Sequence, residues 1–407
     1  MKKIYLDHAA TTATDNDVLK SMQPYLQDNF GNPSSVHSFG QKAMKAIDES
    51  RKIIANFLNC SSSEIIFTSG ATESNNLTIT GVIKKYWEQN GVNAPIPYII
   101  TSMIEHSCIL DTCKELEKEK LVKISYVTVE KNGVLNVKNI KEKIKNNTIL
   151  ISIMYVNNEI GTIQPIEKIG ELIRKTNIIR DANGLMKLIF HTDAVQAVSY
   201  LDCDVKKLGV DLLSFSGHKI YGSKGSGILY IKKGTPIKSI QFGGEQEFKI
   251  RPGTQNVPAI VGTGKAVSII SEQRTIINEE VRQLRNYLID RVLKEIPNSY
   301  LNGSKEKRSP NNANFRFDSI EGEGLLLSLD IEGIYASTGS ACSSSSLEPS
   351  HVLLALGLKH EQAHSSLRIT IGKHTTKEEL NISIEKIKEI VARLRKISGN
   401  ILKEFDK

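Results

Sequence analysis

The sequence predicts an α/β protein with a mostly parallel central sheet in a large domain, followed by a smaller α+β domain. Three observations carry that expectation. Short apolar runs rich in β-formers alternate with amphipathic helical segments through the first two thirds of the chain. Helical periodicity then dominates from residue 262 to about 293, long enough to lead into a second domain. With 407 residues, 40% of them hydrophobic, the chain can fill more than one core.

In order, residues 64–67, 98–101, 124–127, 150–153, 188–190, 212–215 and 227–231 read as strands, each bounded by turn residues or a change of period. Residues 179–185 carry turn chemistry in Asp181, Asn183 and Gly184 and read as a surface loop or small insertion. Val267, Ile270, Ile277, Val281, Leu284 and Leu288 recur at helical spacing and define the long helix. The second domain then holds 314–317, 325–329, 367–371 and a final helix from 377 to about 397, with Thr375-Thr376-Lys377-Glu378-Glu379 as its capped start. The expected division is 15–261 for the large domain, and 1–14 with 262–407 for the small one.

Composition narrows the function classes. The polar pair Asp7 and His8 ends the opening apolar stretch too early for an export signal, and 149–156, interrupted by Ser152, is far short of the roughly 20 residues of a membrane helix. A cytoplasmic protein is expected. Five scattered cysteines without a Cys-x-x-Cys pair argue against a disulfide framework or a zinc site. The net charge of +8 is spread along lysine-rich helical segments with no basic stripe interleaved with aromatics, so it reads as a solvated surface or a face for an acidic protein rather than for nucleic acid.

Four places carry chemistry. Cys342 lies in Ser337-Thr338-Gly339-Ser340-Ala341-Cys342-Ser343-Ser344-Ser345-Ser346, a segment too small and polar to bury a structural thiol, and so reads as a reactive one. Lys219 ends an apolar run in Ser216-Gly217-His218-Lys219, where desolvation can lower an amine's pKa and prepare it for an imine with a carbonyl cofactor; an ordinary surface lysine at a strand end would look the same. Asp193 also closes an apolar run. It is either a helix cap or the partner of a protonated pyridine nitrogen. Finally, Ser69-Gly70-Ala71-Thr72-Glu73 passes from a strand to a helix start, either a plain capped helix or a cup for a phosphate dianion; it matches neither the Walker nor the dinucleotide glycine pattern.

Taken together these blocks resemble the cysteine desulfurases of the NifS/IscS type, within the fold-type I, class V aminotransferase-like family of pyridoxal phosphate enzymes. The resemblance runs from Tyr5-Leu6-Asp7-His8 to the last helix. It includes Phe30-Gly31-Asn32-Pro33, Ser69-Gly70-Ala71-Thr72-Glu73-Ser74-Asn75-Asn76, Glu105-His106, Val156-Asn157-Asn158-Glu159, Asp193-Ala194-Val195-Gln196, Ser216-Gly217-His218-Lys219, Arg251-Pro252-Gly253-Thr254 and Ser340-Ala341-Cys342.

The resemblance implies a homodimer that binds pyridoxal 5'-phosphate and turns L-cysteine into L-alanine, with sulfur carried as a persulfide on Cys342. It implies that Lys219 forms the imine and then shifts the α-proton, Asp193 pairs with the ring nitrogen, Gln196 bonds the ring oxygen, and His106 stacks on the ring and shuttles protons. Ala71, Thr72, Ser216 and His218 would surround the phosphate, with Thr254 added from the other subunit. Asn158 and Arg368 would hold the substrate carboxylate. The Cys342 loop, about 335–350, resembles the long-loop group, whose sulfur acceptor is an iron–sulfur scaffold of the IscU or NifU kind, with tRNA thiolation as a further outlet. A selenocysteine lyase or generalist β-eliminase of the same fold is the neighbouring reading, and a non-catalytic assembly scaffold the more distant one. The chain departs from the family pattern at Thr338 and Ser343 in the cysteine loop, at Pro252, where Ser or Ala usually follows the arginine, and in the extra residues near 181–187.

Overall fold

The computed structural model describes residues 3–339 and 348–405, with side chains to 399. Its strands are β1 (Ile4–Tyr5), β2 (Ile65–Thr68), β3 (Tyr98–Ser102), β4 (Lys123–Val127), β5 (Thr148–Ser152), β6 (Ile189–Asp193), β7 (Leu212–Ser216), β8 (Gly227–Ile231), β9 (Ser299–Leu301), β10 (Asn312–Phe317), β11 (Ile334–Tyr335) and β12 (Ser366–Thr370). Every run read as a strand in the first two thirds of the sequence is one.

Seven of these strands form the central sheet in the order β2-β8-β7-β6-β5-β3-β4. The pairings are parallel except around β8, which runs against both β2 and β7. All residues of β2, β5, β6 and β7 are buried, as expected of strands covered by helices on both faces. At the edge, β4 starts on the exposed Lys123, a charge that discourages further strand pairing.

Two apolar clusters lie on either side of the candidate site. One joins helix Ser38–Leu58 to the sheet through Ile47, Ile54, Phe67, Phe190 and Phe215. The other joins Ile4 and Leu6 to Leu288, Phe315, Phe317, Leu367 and Ile387. Helix Val257–Glu295 belongs to both: Val257, Ile260 and Val267 lie in the first cluster, Val281, Leu288 and Val292 in the second. It is longer at both ends than the periodicity predicts. At about 1.5 Å per residue its 39 residues span roughly 58 Å and form a single strut between the two cores. The final helix, Lys377–Phe405, starts on the expected cap: Thr376 Oγ1 accepts from Glu379 N–H at 3.2 Å, and the Glu379 carboxylate accepts from Thr376 N–H at 3.0 Å.

The loop expected at 179–185 is a correction. Residues 179–182 are the last turn of helix Ile166–Ala182, and only 183–188 connect to β6. Arg180 explains the difference, because its buried guanidinium donates to the carbonyl oxygens of Lys145, Asn146 and Thr148, each at 2.9 Å, and its Nε to Met186 O at 2.7 Å. Turn-forming residues lose to a side chain that satisfies four carbonyls only if its own backbone stays helical.

A buried ion pair holds the loop that precedes Thr254. Arg51 donates to both oxygens of Glu247 at 2.8 Å, and Glu247 also accepts from Phe67 N–H at 2.9 Å. Glu247, Phe248 and Lys249 all have positive φ (45°, 57° and 67°), a backbone that L-residues adopt only under tertiary constraint. Arg51→Ala leaves the buried carboxylate without its partner and should cost about 3–5 kcal/mol in urea denaturation. A loss below about 1 kcal/mol would show that the pair does not hold this loop.

Candidate active site

The carboxyl ends of β2, β3, β5, β6 and β7 open into one cleft of about 580 Å³. Ligands in open α/β sheets bind at this edge, because loops and helix starts there present free amides and side chains without breaking the ladder. The cleft brings together Ala71, Thr72, His106, Asn158, Asp193, Gln196, Ser216, His218, Lys219 and Arg368. Two candidates are not among them. Thr254 is exposed and does not line the cleft of its own chain, and Cys342 lies outside the described residues.

At the end of β2, Gly70 gives helix Ala71–Asn90 no side-chain cap, and Ala71 and Thr72 line the cleft with the helix's first amides. Glu73, which also lines the cleft, is engaged by its own loop: its carboxylate accepts from Ser69 N–H at 2.6 Å and from Arg251 Nε at 2.8 Å, which holds it below the usual carboxylate range despite partial burial. Gly227 of β8 permits this turn, since a Cβ there would lie 2.5 Å from the Gly70 Cα. Across the cup, Ser216 Oγ is buried without a hydrogen-bond partner. His218 bonds Thr11 Oγ1 through Nδ1 at 3.1 Å, and burial beside the lysines Lys219 and Lys224 lowers its pKa to about 4, so the ring is neutral.

Asp193, the last residue of β6, is buried. Its oxygens accept from Asn75 Nδ2 at 2.7 Å and Val195 N–H at 2.9 Å. Burial pushes its carboxyl above the usual range, opposed by those two donors and by His106 and Lys219. A cation brought to this carboxylate would remove the cost. Lys219, just past β7, points its Nζ at the carbonyls of Ala9 and Ala10 at 2.5 and 2.6 Å, and Gln196 donates to the same Ala9 carbonyl at 2.9 Å.

These carbonyls belong to an N-terminal strap. It leaves the second core at β1, crosses the cleft, and is tied down where Thr12 Oγ1 donates to His218 O at 2.9 Å and accepts from Tyr221 N–H at 2.8 Å. Arg368, in β12, donates to Asp7 of this strap at 2.8 Å and to Asn158 O at 3.1 Å, while its buried Nε has no hydrogen-bond partner among the described residues. One guanidinium edge is thus anchored and another donor remains for an anion.

The donor set fits pyridoxal phosphate. It offers an uncapped helix start and a serine hydroxyl without a hydrogen-bond partner among the described residues for a phosphate, a buried carboxylate for a pyridinium nitrogen, and a lysine amine at the strand end between them.

The family model for class-V aminotransferases matches residues 4–382. The chain belongs to this family, in its cysteine desulfurase branch. It is 46% identical over 397 residues to the cysteine desulfurase IscS of Dictyoglomus turgidum, covering 98% of this chain and 96% of the relative. It is also 46% identical over 404 residues to the IscS of Methanosarcina thermophila, covering 99% and 96%. Among solved structures, a NifS-like protein superposes with a TM-score of 0.87 at 36% identity, covering 97% of this chain and all of that one. A structure of SspA in complex with cysteine gives 0.77, also at 36% identity, over 92% of this chain. As a member of this family the chain is a pyridoxal phosphate-dependent enzyme of fold-type I.

Four residues escaped the sequence reading as site components: Asp7, Asn75, Glu105 and Cys108. The first three stand inside family motifs, but only the fold shows which of their polar groups converge. Glu105 is fully buried beneath His106, where its carboxylate accepts from Ser102 Oγ at 2.5 Å and from Met154 N–H at 3.0 Å. Burial nevertheless pushes its pKa up to about 8. Raising the folded-state pKa of an acid means that ionising it opposes folding. Stability is therefore lost as pH rises from the unfolded value near 4.3 towards 8, and levels off above. Glu105→Gln should remove this dependence, so thermal melts of wild type and variant should diverge between pH 5 and 8, with the variant gaining. Parallel curves would refute the assignment.

Proposed function

We propose that this protein catalyses the conversion of L-cysteine to L-alanine and transfers the sulfur to Cys342 as a persulfide for iron–sulfur cluster assembly, with tRNA thiolation as a further outlet. The observation that carries this reading is the convergence of Lys219, Asp193, His106 and Arg368 on one cleft in a chain 46% identical to IscS enzymes over nearly its full length. The SspA neighbour, solved with cysteine, supports the substrate.

Pyridoxal phosphate, bound in the cleft, supplies an electron sink for the substrate's α-carbon. The protein supplies the rest. Thr72, Ser216 and the amides at Ala71 would hold the cofactor's phosphate, with His218 alongside, Asp193 would keep a proton on its ring nitrogen and Gln196 would bond its ring oxygen. Lys219 would hold the cofactor and serve as the base for the substrate's α-proton, and His106 would lie beside it as a proton donor. Arg368 and Asn158 orient the substrate carboxylate and so present its sulfur to a thiol. The Cys342 thiolate would attack that sulfur: an S–S bond forms as the C–S bond breaks, the carbon keeps the bond's electron pair, and its protonation gives alanine.

Chain connectivity supports this role for Cys342. The carbonyl of Gly339 lies 3.5 Å from the Arg368 guanidinium, and three residues of extended chain reach roughly 10 Å. On the far side, Ser350 Oγ donates to the buried Glu159 carboxylate at 2.5 Å, one residue from Asn158. We assign residues 15–261 to a cofactor-binding domain and 1–14 with 262–407 to a small domain, supported by the two cores, although the boundary falls inside helix Val257–Glu295. We further propose a homodimer in which the exposed Thr254 completes the phosphate site of a second copy, and a scaffold of the IscU or NifU kind as sulfur acceptor. The free thiols at Cys60, Cys108, Cys113 and Cys203 suit a reducing compartment such as the cytoplasm.

Incubation with L-cysteine, followed by digestion and mass spectrometry, should find the added sulfur on Cys342, with alanine released. Cys342→Ala should keep the cofactor's absorbance and lose at least about 100-fold in sulfur transfer, as expected when the nucleophile is removed. Sulfur transfer at the wild-type rate in that variant would refute the persulfide route.

A further inference from the structure

His106 is the N-cap of helix Ser107–Lys118: its Nδ1 accepts from Cys108 N–H at 3.2 Å. A nitrogen that accepts a backbone N–H carries no proton, so the neutral ring must carry its proton on Nε2. The Cys108 thiol adds to this. Its Sγ lies 3.1 Å from the same Nδ1 and 3.2 Å from Asn75 Nδ2. Asn75 uses that same Nδ2 group to donate to Asp193 Oδ2 at 2.7 Å, which fixes the amide with its nitrogen towards both partners. Because Sγ accepts from Asn75, its own hydrogen is directed at Nδ1. The four groups form a chain of fixed polarity in which Asn75 donates to Asp193 and to Cys108, and Cys108 donates to His106.

We propose that Cys108 is a positioning residue for His106: held by the amide that also holds Asp193, its thiol helps lock the imidazole in the Nε2–H form, so that the ring enters the reaction as a hydrogen-bond donor. The proposal deepens the functional reading above, but its test needs no turnover and can fail independently of it. A ring with two donors aimed at Nδ1 resists a second proton, since protonation there breaks the helix cap and the thiol contact together. Among the described residues, the titratable groups that share the cleft with His106 are Glu73, Asp193, His218, Lys219, Lys224 and Arg368; Glu105 is on its own turn, and His351 Nε2 lies 3.0 Å from the Glu105 carbonyl. All of them are retained when Cys108 alone is changed, so a shift on substitution reports the thiol.

Full-length protein labelled with ¹⁵N-histidine, with and without pyridoxal phosphate, reads the tautomer directly, His106 being assigned by its loss in His106→Gln. Wild type should show the Nε2–H form. Cys108→Ala removes one donor from Nδ1 and should raise the protonation midpoint of His106 by about one pH unit, the scale of one hydrogen bond. Cys108→Ser restores a hydroxyl donor and should return the midpoint towards wild type. A wild-type ring with its proton on Nδ1 overturns the proposal without any variant. So does a Cys108→Ala midpoint equal to wild type, or a serine variant that behaves as the alanine one does.

Discussion

Burying the Asp193 carboxylate at the end of β6 costs several kcal/mol unless the charge is compensated, and the architecture around the cleft is arranged about that cost. Asn75 and the Val195 amide supply two hydrogen bonds, but neither brings a positive charge. His106 and Lys219 nearby offset part of the cost, and a cation bound in the cleft would offset more. Every residue of β6 is buried, and this dry surrounding makes the carboxylate's field strong where a pyridinium ring would lie.

The second organising feature is that one long helix and one short strap join the apolar core around Phe190 and Phe215 to the core around Phe315 and Phe317. Helix Val257–Glu295 fixes the distance between the cores, while residues 7–12 close the circuit across the cleft. Through the strap, groups from distant parts of the chain meet. Asp7 holds Arg368, Ala9 receives Lys219 and Gln196, and Thr12 holds the turn at His218. A substrate carboxylate gripped by Arg368 would thus be registered against Lys219 through covalently connected backbone rather than through independent loops.

Much of this was legible in the sequence. The sheet strands were readable because strands buried on both faces must be nearly continuous apolar runs, and the Thr376 cap was readable because its box is local. The helical turn at 179–182 is not legible because local turn chemistry gives no sign of Arg180 satisfying three carbonyls of the distant segment 145–148 together with that of Met186. Of the site, Lys219, Asp193 and the helix start at Ala71 were visible as charges or small residues closing apolar runs. Asn75 and Cys108 were not, because an amide and a thiol on ordinary helices carry no local signature of what they face.

The sequence by itself determined the order of strands and helices, the family motifs, and the residue types available for imine, phosphate and carboxylate chemistry. Those properties are set by periodicity and by the cost of placing a charge at the end of an apolar run. Only the tertiary structure decided which nitrogen of His106 faces the helix, which amide links Asp193 to Cys108, and which strap carbonyls receive Lys219. Hydrogen-bond polarity depends on which groups, separated by dozens to hundreds of residues, come within about 3 Å of one another, and no spacing along the chain encodes that distance.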